Sequence, residues 1–293
     1  MPTAGATLRI ATRSSLQART QAEVVGAAIE AASGGDLRTE MVFVDTVGDQ
    51  RQDVPLHTIG GQGVFVKEVQ RAVLDDRADI AVHSAKDLPS TSADGLTIVA
   101  FAERRDPRDA LVGSTLDGLA LGATVASGSV RRRAQLRALR PDLRFVELRG
   151  NIQTRLGKVP DNGAIVMAVA ALHILGLHDR IAQTMDADAM VPAVGQGCVA
   201  VECRSADTAT MTAVRRIDHA GTRASVEAER AFLAELGSGC SLPIGAHVAD
   251  GMLSAFLADD SGRALQTSVR LGHDWNASAA EAARALLAEL RRR

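Results

Sequence analysis

A lysine and an aspartate stand side by side just past a short apolar run, in His83-Ser84-Ala85-Lys86-Asp87-Leu88-Pro89. Charged groups at the end of a buried strand sit on a rigid base, which suits proton transfer or stabilisation of a developing cation. An aspartate ahead of Leu-Pro is equally an ordinary turn former. A cysteine lies in a Gly/Ser-rich loop, Leu236-Gly-Ser-Gly-Cys240-Ser-Leu-Pro-Ile-Gly245, where a thiol is accessible for covalent chemistry. Solitary cysteines are more often buried and inert, and that reading stands beside the first. Eight arginines fall between positions 131 and 155: Arg131, Arg132, Arg133, Arg137, Arg140, Arg144, Arg149 and Arg155. The whole chain carries a net charge of only −2, so this local concentration points to a multiply anionic ligand, not to a generally basic surface. Each guanidinium is a planar fork that grips carboxylate or phosphate at two points. A solvated helix face would show the same charge count.

Composition narrows the classes. With 46% hydrophobic and 23% charged residues, the 293-residue chain is that of an ordinary globular protein of two or three domains. Six Phe, one Trp and no Tyr leave little for stacking single-stranded nucleic acid. Cys198, Cys203 and Cys240 are odd in number and lack metal-ligand spacing, and no signal peptide is read at the start, so a reducing cytoplasm is expected. No apolar run has the length of a membrane span, and the seven histidines form no ligand cluster, so neither membrane nor metal is expected.

The elements that must hold these groups alternate in type. Leu8–Thr12, Arg38–Val44, Asp79–His83 and Leu96–Phe101 read as strands, with helices over Ser15–Ala32 and Val64–Asp76. A polar, Gly-punctuated stretch from Asp45 to Gly63 is too long for a plain connector and reads as a lid. The pattern restarts with strands at Ala110–Val112, Thr124–Ala126, Arg144–Leu148 and Ala164–Val169, and helices at Ser129–Leu139 and Asn151–Leu156. A hinge at Glu103–Arg108 separates two similar α/β lobes, and Val199–Glu202 is read as a strand returning to the first. A long helix over Thr222–Leu236, three short strands and a helix over Ala277–Leu290 form an α+β third domain. The expected division is 1–103 with 199–218, then 104–198, then 219–293.

Two such lobes place a ligand cleft at the carboxyl ends of their strands. Thr12–Ser15 and Ser127–Ser129 run from a strand into a helix start, where free N–H groups attract anions. Arg131 and Arg132 then fall in the first turn of a helix capped by Ser129, against the macrodipole, and an anionic ligand would offset that cost.

Taken together, LRIATRSSLQA, GGQGVFVKE, DIAVHSAKDLP, RRDPRDA, GSVRRRAQL, LRGNIQTRL, PAVGQG and AERAFLAELGSGCSLPIG resemble the porphobilinogen deaminase (hydroxymethylbilane synthase) family in content and order. The resemblance runs from about residue 7 to at least residue 245. It implies two lobes like type II periplasmic binding proteins, each with a parallel-rich sheet, plus a small α+β C-terminal domain. It implies a monomeric enzyme of heme biosynthesis that joins four porphobilinogens head to tail, losing ammonia each time. Cys240 matches the cysteine that holds a dipyrromethane cofactor through a thioether, and Asp87 matches the catalytic aspartate. Arg13, Arg131, Arg132, Arg149 and Arg155 match arginines that bind carboxylates of cofactor and growing chain. Ser15, Lys86, Ser127 and Ser129 fall on cofactor-contact positions. Phe65 matches a position near the reacting rings, although a core phenylalanine is an equal reading. Each pyrrole brings an acetate and a propionate, which accounts for the arginines.

The chain departs from the family pattern at four places. Gln62 stands where many members have lysine, Ser127-Gly128-Ser129 replaces a more hydroxyl-rich run, and Ser238 and Leu242 flank the cysteine. Three rivals stand beside this reading: an inactive relative of the family, disfavoured by retention of both Asp87 and Cys240, a non-catalytic two-lobed receptor for an organic anion, and a nucleic-acid binder using RRRAQLRALRPDLR. The last is disfavoured by the net charge and the missing aromatics.

Overall fold

The computed structural model describes residues 6–46, 63, 65–237, 243–259 and 261–292. These fall into two compact units. One takes the described residues up to Arg104 together with Cys198–Arg223, and the other takes Arg105–Gly197 and those from Ala224 onward.

In the first unit, strand β1 (Ala6–Arg13) leads into helix α1 (Leu16–Ala32), whose Ser15 cap accepts a hydrogen bond from the Ala18 N–H at 3.4 Å. Ala22, Val25, Gly26 and Ile29 recur at the helical period and are the buried face of α1. Strand β2 (Leu37–Val44), helix α2 (Lys67–Leu74), strand β3 (Ile80–Ser84) and strand β4 (Leu96–Phe101) follow. The helix expected over Val64–Asp76 is shorter at both ends, and its first residue follows Val66, which has no side chain able to cap it. Strand β10 (Val199–Arg204) returns from the later chain and inserts between β3 and β4, giving the order β2-β1-β3-β10-β4. β1 pairs in parallel with β2 and β3, whereas β10 is antiparallel to both its neighbours. β3 and β10 are buried along nearly their whole length, which is why both read as mainly apolar runs, interrupted by His83 and Glu202. Ile10, Val25, Ile29, Ile80, Val82 and Val201 fill one face, and Ala11, Val69, Val73 and Ala81 fill the other.

The second unit repeats this layout. Strands β5 (Asp109–Val112), β6 (Thr124–Ala126), β7 (Arg144–Val146), β8 (Ala164–Ala168) and β9 (Gln183–Thr184) adopt the order β7-β6-β8-β5-β9. β6 is parallel to β7 and β8, and β5 is antiparallel to β8 and β9. In each sheet the strand next to a crossing of the chain is the reversed one, so neither sheet is purely parallel. Helices α3 (Val130–Leu139), α4 (Ile152–Leu156) and α5 (Val169–His173) follow β6, β7 and β8. Helix α6 (Thr208–Val214) belongs to the first unit.

Helix α7 (Ala220–Glu235), strands β11 (Ile244–Ala249), β12 (Met252–Ala258) and β13 (Ala264–Arg270) and helix α8 (Trp275–Arg292) complete the chain. The three strands form an antiparallel sheet in sequence order. Phe232 of α7, Leu253 and Leu257 of β12 and Ala283 and Leu286 of α8 make its core. At roughly 1.5–3 kcal/mol per buried large apolar side chain, this core is a substantial local store of stability.

Candidate active site

The parallel register of β1 and β3, Ile10 opposite Ile80 and Ala11 opposite Ala81, brings the carboxyl ends of both strands to one edge of the sheet. Strands there are about 4.8 Å apart. Arg13 ends β1, Ser15 caps the next helix, and β3 runs directly into a single 3-10 turn, Ala85–Asp87. Arg13, Ser15, Lys86 and Asp87 are thereby collected from two adjacent strands. The turn is pinned by the Ala85 N–H donating to the Cys198 carbonyl at 2.9 Å, and by Ser84 Oγ donating to Gln21 Oε1 at 3.1 Å. Asp87 is half-buried, and among the described residues nothing donates to its carboxylate. Arg13 sits with its guanidinium carbon 4.1 Å from the centre of the Phe65 ring, a cation–π contact that fixes its direction. Phe65 is half-buried, so it is not a core residue. Thr12–Ser15 and His83–Pro89 form the edge that carries chemistry in this unit.

In the second unit the register Ala126 opposite Val146 sets the loop 127–129 beside the loop 147–151. The Ser127 N–H donates to the Val146 carbonyl at 3.0 Å, Ser127 Oγ accepts from the Ser129 N–H at 3.2 Å, and Ser129 Oγ accepts from the Arg132 N–H at 3.4 Å. Both hydroxyls therefore shape the strand-to-helix turn. A Cβ on Gly128 would lie 2.7 Å from Glu147 Oε1 and 2.8 Å from the Leu148 carbonyl, so the two loops touch at a point only glycine permits. Asn151 caps α4, and Arg155 Nε donates to the Gly150 carbonyl at 2.7 Å, which folds Arg155 back toward Arg149 along the same loop.

Two of the clustered arginines have a partner inside the protein. Arg131 and Arg132 are only 5% and 7% exposed, and they share a fully buried carboxylate, Asp109. Arg131 Nη2 donates to Oδ2 at 2.7 Å and Nη1 to the Val191 carbonyl at 2.6 Å. Arg132 donates to Oδ1 through Nε and Nη2, and to the Val166 carbonyl through Nη1. Gln196 Nε2 adds a further bond to Oδ1 at 2.9 Å. Burial opposes ionisation of Asp109, but the two guanidiniums overcome it and hold its carboxyl at about 2. The compensation assigned to an anionic ligand thus comes first from inside the protein, and two cations against one anion leave a single positive charge over. Arg133 pairs with Glu147 and Arg140 with Asp142, while Arg137 lies over the Phe145 ring. Much of the arginine count is structural. Asp109 is the residue the sequence reading missed, although RRDPRDA contains it.

Cys240, with the flanking Ser238 and Leu242, lies outside the described residues, as do Gln62 and most of the stretch expected to act as a lid. Cys198 and Cys203 are buried, and desolvation, reinforced by Asp207, pushes the Cys203 thiol up to about 11. Among the described residues no group of His, Cys, Asp and Glu is arranged to hold a metal, and no helix is long and apolar enough to cross a membrane.

Residues 8–212 match the family model described as porphobilinogen deaminase, dipyromethane cofactor binding domain. The chain belongs to the porphobilinogen deaminase family. Residues 224–264 match the C-terminal domain of the same family. A porphobilinogen deaminase from Acidothermus cellulolyticus is 46% identical over 268 residues, covering 87% of this chain and 80% of that protein. One from Trichlorobacter lovleyi is 43% identical over 244 residues, covering 82% and 78%. Among solved structures, the methionine binding protein MetQ aligns at 13% identity and a TM-score of 0.44, over 80% of this chain and 96% of its own. A TRAP periplasmic solute binding protein from Desulfovibrio salexigens aligns at 10% and 0.43, over 73% of each chain. Family membership makes the chain a transferase whose first two thirds match a dipyrromethane cofactor binding domain, and it outweighs the reading as a non-catalytic receptor. The donors in the second unit fit such a group: hydroxyls, guanidiniums and one surplus buried cation suit a chain of carboxylates.

Proposed function

We propose that Asp87 is the catalytic carboxylate of a four-step condensation and that Cys240 holds the dipyrromethane through a thioether. In the reaction, four porphobilinogens and one water give the linear tetrapyrrole hydroxymethylbilane and four ammonia molecules. When bound, the dipyrromethane supplies a terminal pyrrole with a free α-carbon, the acceptor for the first substrate.

Asp87 serves at two moments of each addition. As the amino nitrogen of porphobilinogen's aminomethyl arm leaves as ammonia, positive charge develops on the retained methylene and spreads to the pyrrole nitrogen. The Asp87 carboxylate stabilises that charge and accepts the N–H as a hydrogen bond. After the new carbon–carbon bond forms, the ring gives up its α-proton, which Asp87 receives or passes to solvent. What supports this role is a half-buried carboxylate at the end of β3 to which nothing donates among the described residues. Lys86, Ser15, Ser127 and Ser129, with Arg131 and Arg132, are assigned to the cofactor, and Arg13, Arg149 and Arg155 to substrate carboxylates. The Arg131–Asp109–Arg132 cluster contributes one net positive charge to that task. Phe65 directs Arg13 and forms part of the same surface. Charge-assisted hydrogen bonds of roughly 1.5–3 kcal/mol each are enough for a few such contacts to hold the chain.

The division into three domains at 1–103 with 199–218, 104–198 and 219–293 is proposed with this reading, as is a cytoplasmic monomer that uses no metal. Three cysteines, an odd number without metal-ligand spacing, support the cytoplasm.

The deciding experiment is the intact mass of the purified protein under denaturing conditions beside Cys240→Ser. An excess equal to two linked, deaminated pyrrole units, absent from the variant, is expected. A bare mass that stays bare after incubation with porphobilinogen sinks the assignment.

A further inference from the structure

One of the contacts that position the Ala85–Asp87 turn comes from the chain entering β10. The last β3–β10 pair is Ser84 opposite Val199, and the turn's first N–H then bonds to the Cys198 carbonyl. Sliding β10 by one residue would carry that anchor with it. Two buried side chains on this strand pair are far more polar than their surroundings. His83 stands opposite Ala200 and Glu202 opposite Ala81, which makes His83 and Glu202 diagonal neighbours on the same sheet face. His83 Nε2 lies 3.2 Å from Glu202 Oε2, a close polar contact without hydrogen-bond alignment, and both side chains are almost completely buried. Gln70 of α2 donates to the same oxygen at 2.8 Å.

A carboxylate in this position is costly unless its partners stay in place. The opposite face of the sheet carries Ile10, Ile80, Val82 and Val201. A one-residue slip of β10 would turn Glu202 into that apolar layer, away from Gln70 and His83. An all-apolar pair at these positions would carry no such penalty, because either face would accept it. The polar pair therefore selects one register among those open to a buried strand.

We propose that Glu202 and His83 form a register lock that holds the Ala85–Asp87 turn at its height on the sheet, making both of them positioning residues for Asp87. The proposal rests on the reading of Asp87 as the catalytic carboxylate. Neither residue needs to touch substrate.

Amide hydrogen exchange read beside steady-state kinetics tests it on the purified holoenzyme. In Glu202→Gln the Ala85 amide is expected to exchange at least tenfold faster, while the amides of β1 keep their wild-type rates. The kcat for porphobilinogen consumption should fall about tenfold with KM within about twofold. Unchanged exchange at Ala85, acceleration spread evenly over the sheet, or an unchanged kcat overturns the lock. Should Glu202→Gln fail to fold, the wild-type protein still decides. Its Ala85 amide must exchange only with global unfolding, and exchange through local opening overturns the proposal. Exchange at Ala85 reports the lock alone, and turnover of Asp87→Asn reports the catalytic reading alone, so the two failures are told apart.

Discussion

Arg132 reaches Asp109 with two prongs, Nε at 3.0 Å and Nη2 at 2.7 Å, both ending on Oδ1. With Arg131 on the other oxygen, the pair closes a charged knot where α3 crosses β5. An isolated carboxylate there would be untenable. Held by two cations, it is ionised well below the ordinary carboxylate range.

Acid stability follows from that knot. The folded-state value of about 2 lies below the ordinary 3.8, so the stabilising contribution is complete above about pH 4 and is lost as pH falls toward 2. At 1.36 kcal/mol per unit this amounts to roughly 2 kcal/mol. Urea titrations at several pH values should show that slope in the wild type and a flatter acid limb in Asp109→Asn. Removing the carboxylate should also cost about 3–5 kcal/mol at neutral pH, since two buried cations lose their partner. A variant as stable as wild type at pH 7 contradicts this account of the cluster.

Asp87→Asn should fold normally, because no donor bonds to this carboxylate among the described residues. Its turnover of porphobilinogen should fall at least ~10²-fold, the low end for groups of this kind. Circular dichroism and steady-state ammonia release measured on the same sample test both halves. Near-normal turnover removes Asp87 from the mechanism.

Gly150 has a φ of +115°, and a Cβ there would sit 2.7 Å from Thr154 Cγ2. Gly150→Ala should cost about 1–3 kcal/mol in strain. Because the Gly150 carbonyl holds Arg155 Nε, the strain should also raise KM for porphobilinogen more than it lowers kcat. An unchanged KM would separate this loop from substrate binding.

Thiol chemistry gives an independent check on Cys240. Cys198 and Cys203 are buried, and the Cys203 thiol is held far from its reactive form. Iodoacetamide at pH 8 should therefore label one of the three cysteines in folded, cofactor-free protein, and peptide mapping should find it at position 240. The same reagent should label all three after unfolding. Native labelling of Cys198 or Cys203 would show that their burial is not maintained in solution.

The strands of the first sheet were legible because β3 and β10 are covered on both faces and read as apolar runs, and the caps at Ser15, Ser129 and Asn151 announced their helices locally. β9 is two residues long and carries no periodicity to find. Helix α6, TATMTAV, is rich in β-branched residues and looked like no helix; its signal was the Asp207 cap, which accepts from the Thr210 N–H. At the site, sequence marked Asp87 and the serines through their places at strand ends. It could not show that Arg131 and Arg132 also bond to Asp109, since that pairing spans more than twenty residues and exists only once β5 and α3 have packed.

The placement of β10 between β3 and β4 has a consequence for a nascent chain. By the time Phe101 has left the ribosome, the strand that pairs with β4 among the described residues is still about a hundred residues away. At 5–20 residues per second that interval is on the order of 5–20 s. Throughout it, β3 and β4 expose unpaired apolar edges while the whole second sheet is being made. The Ala85–Asp87 turn gains its Cys198 anchor only after that interval, and a chaperone that shields those edges would act in that window.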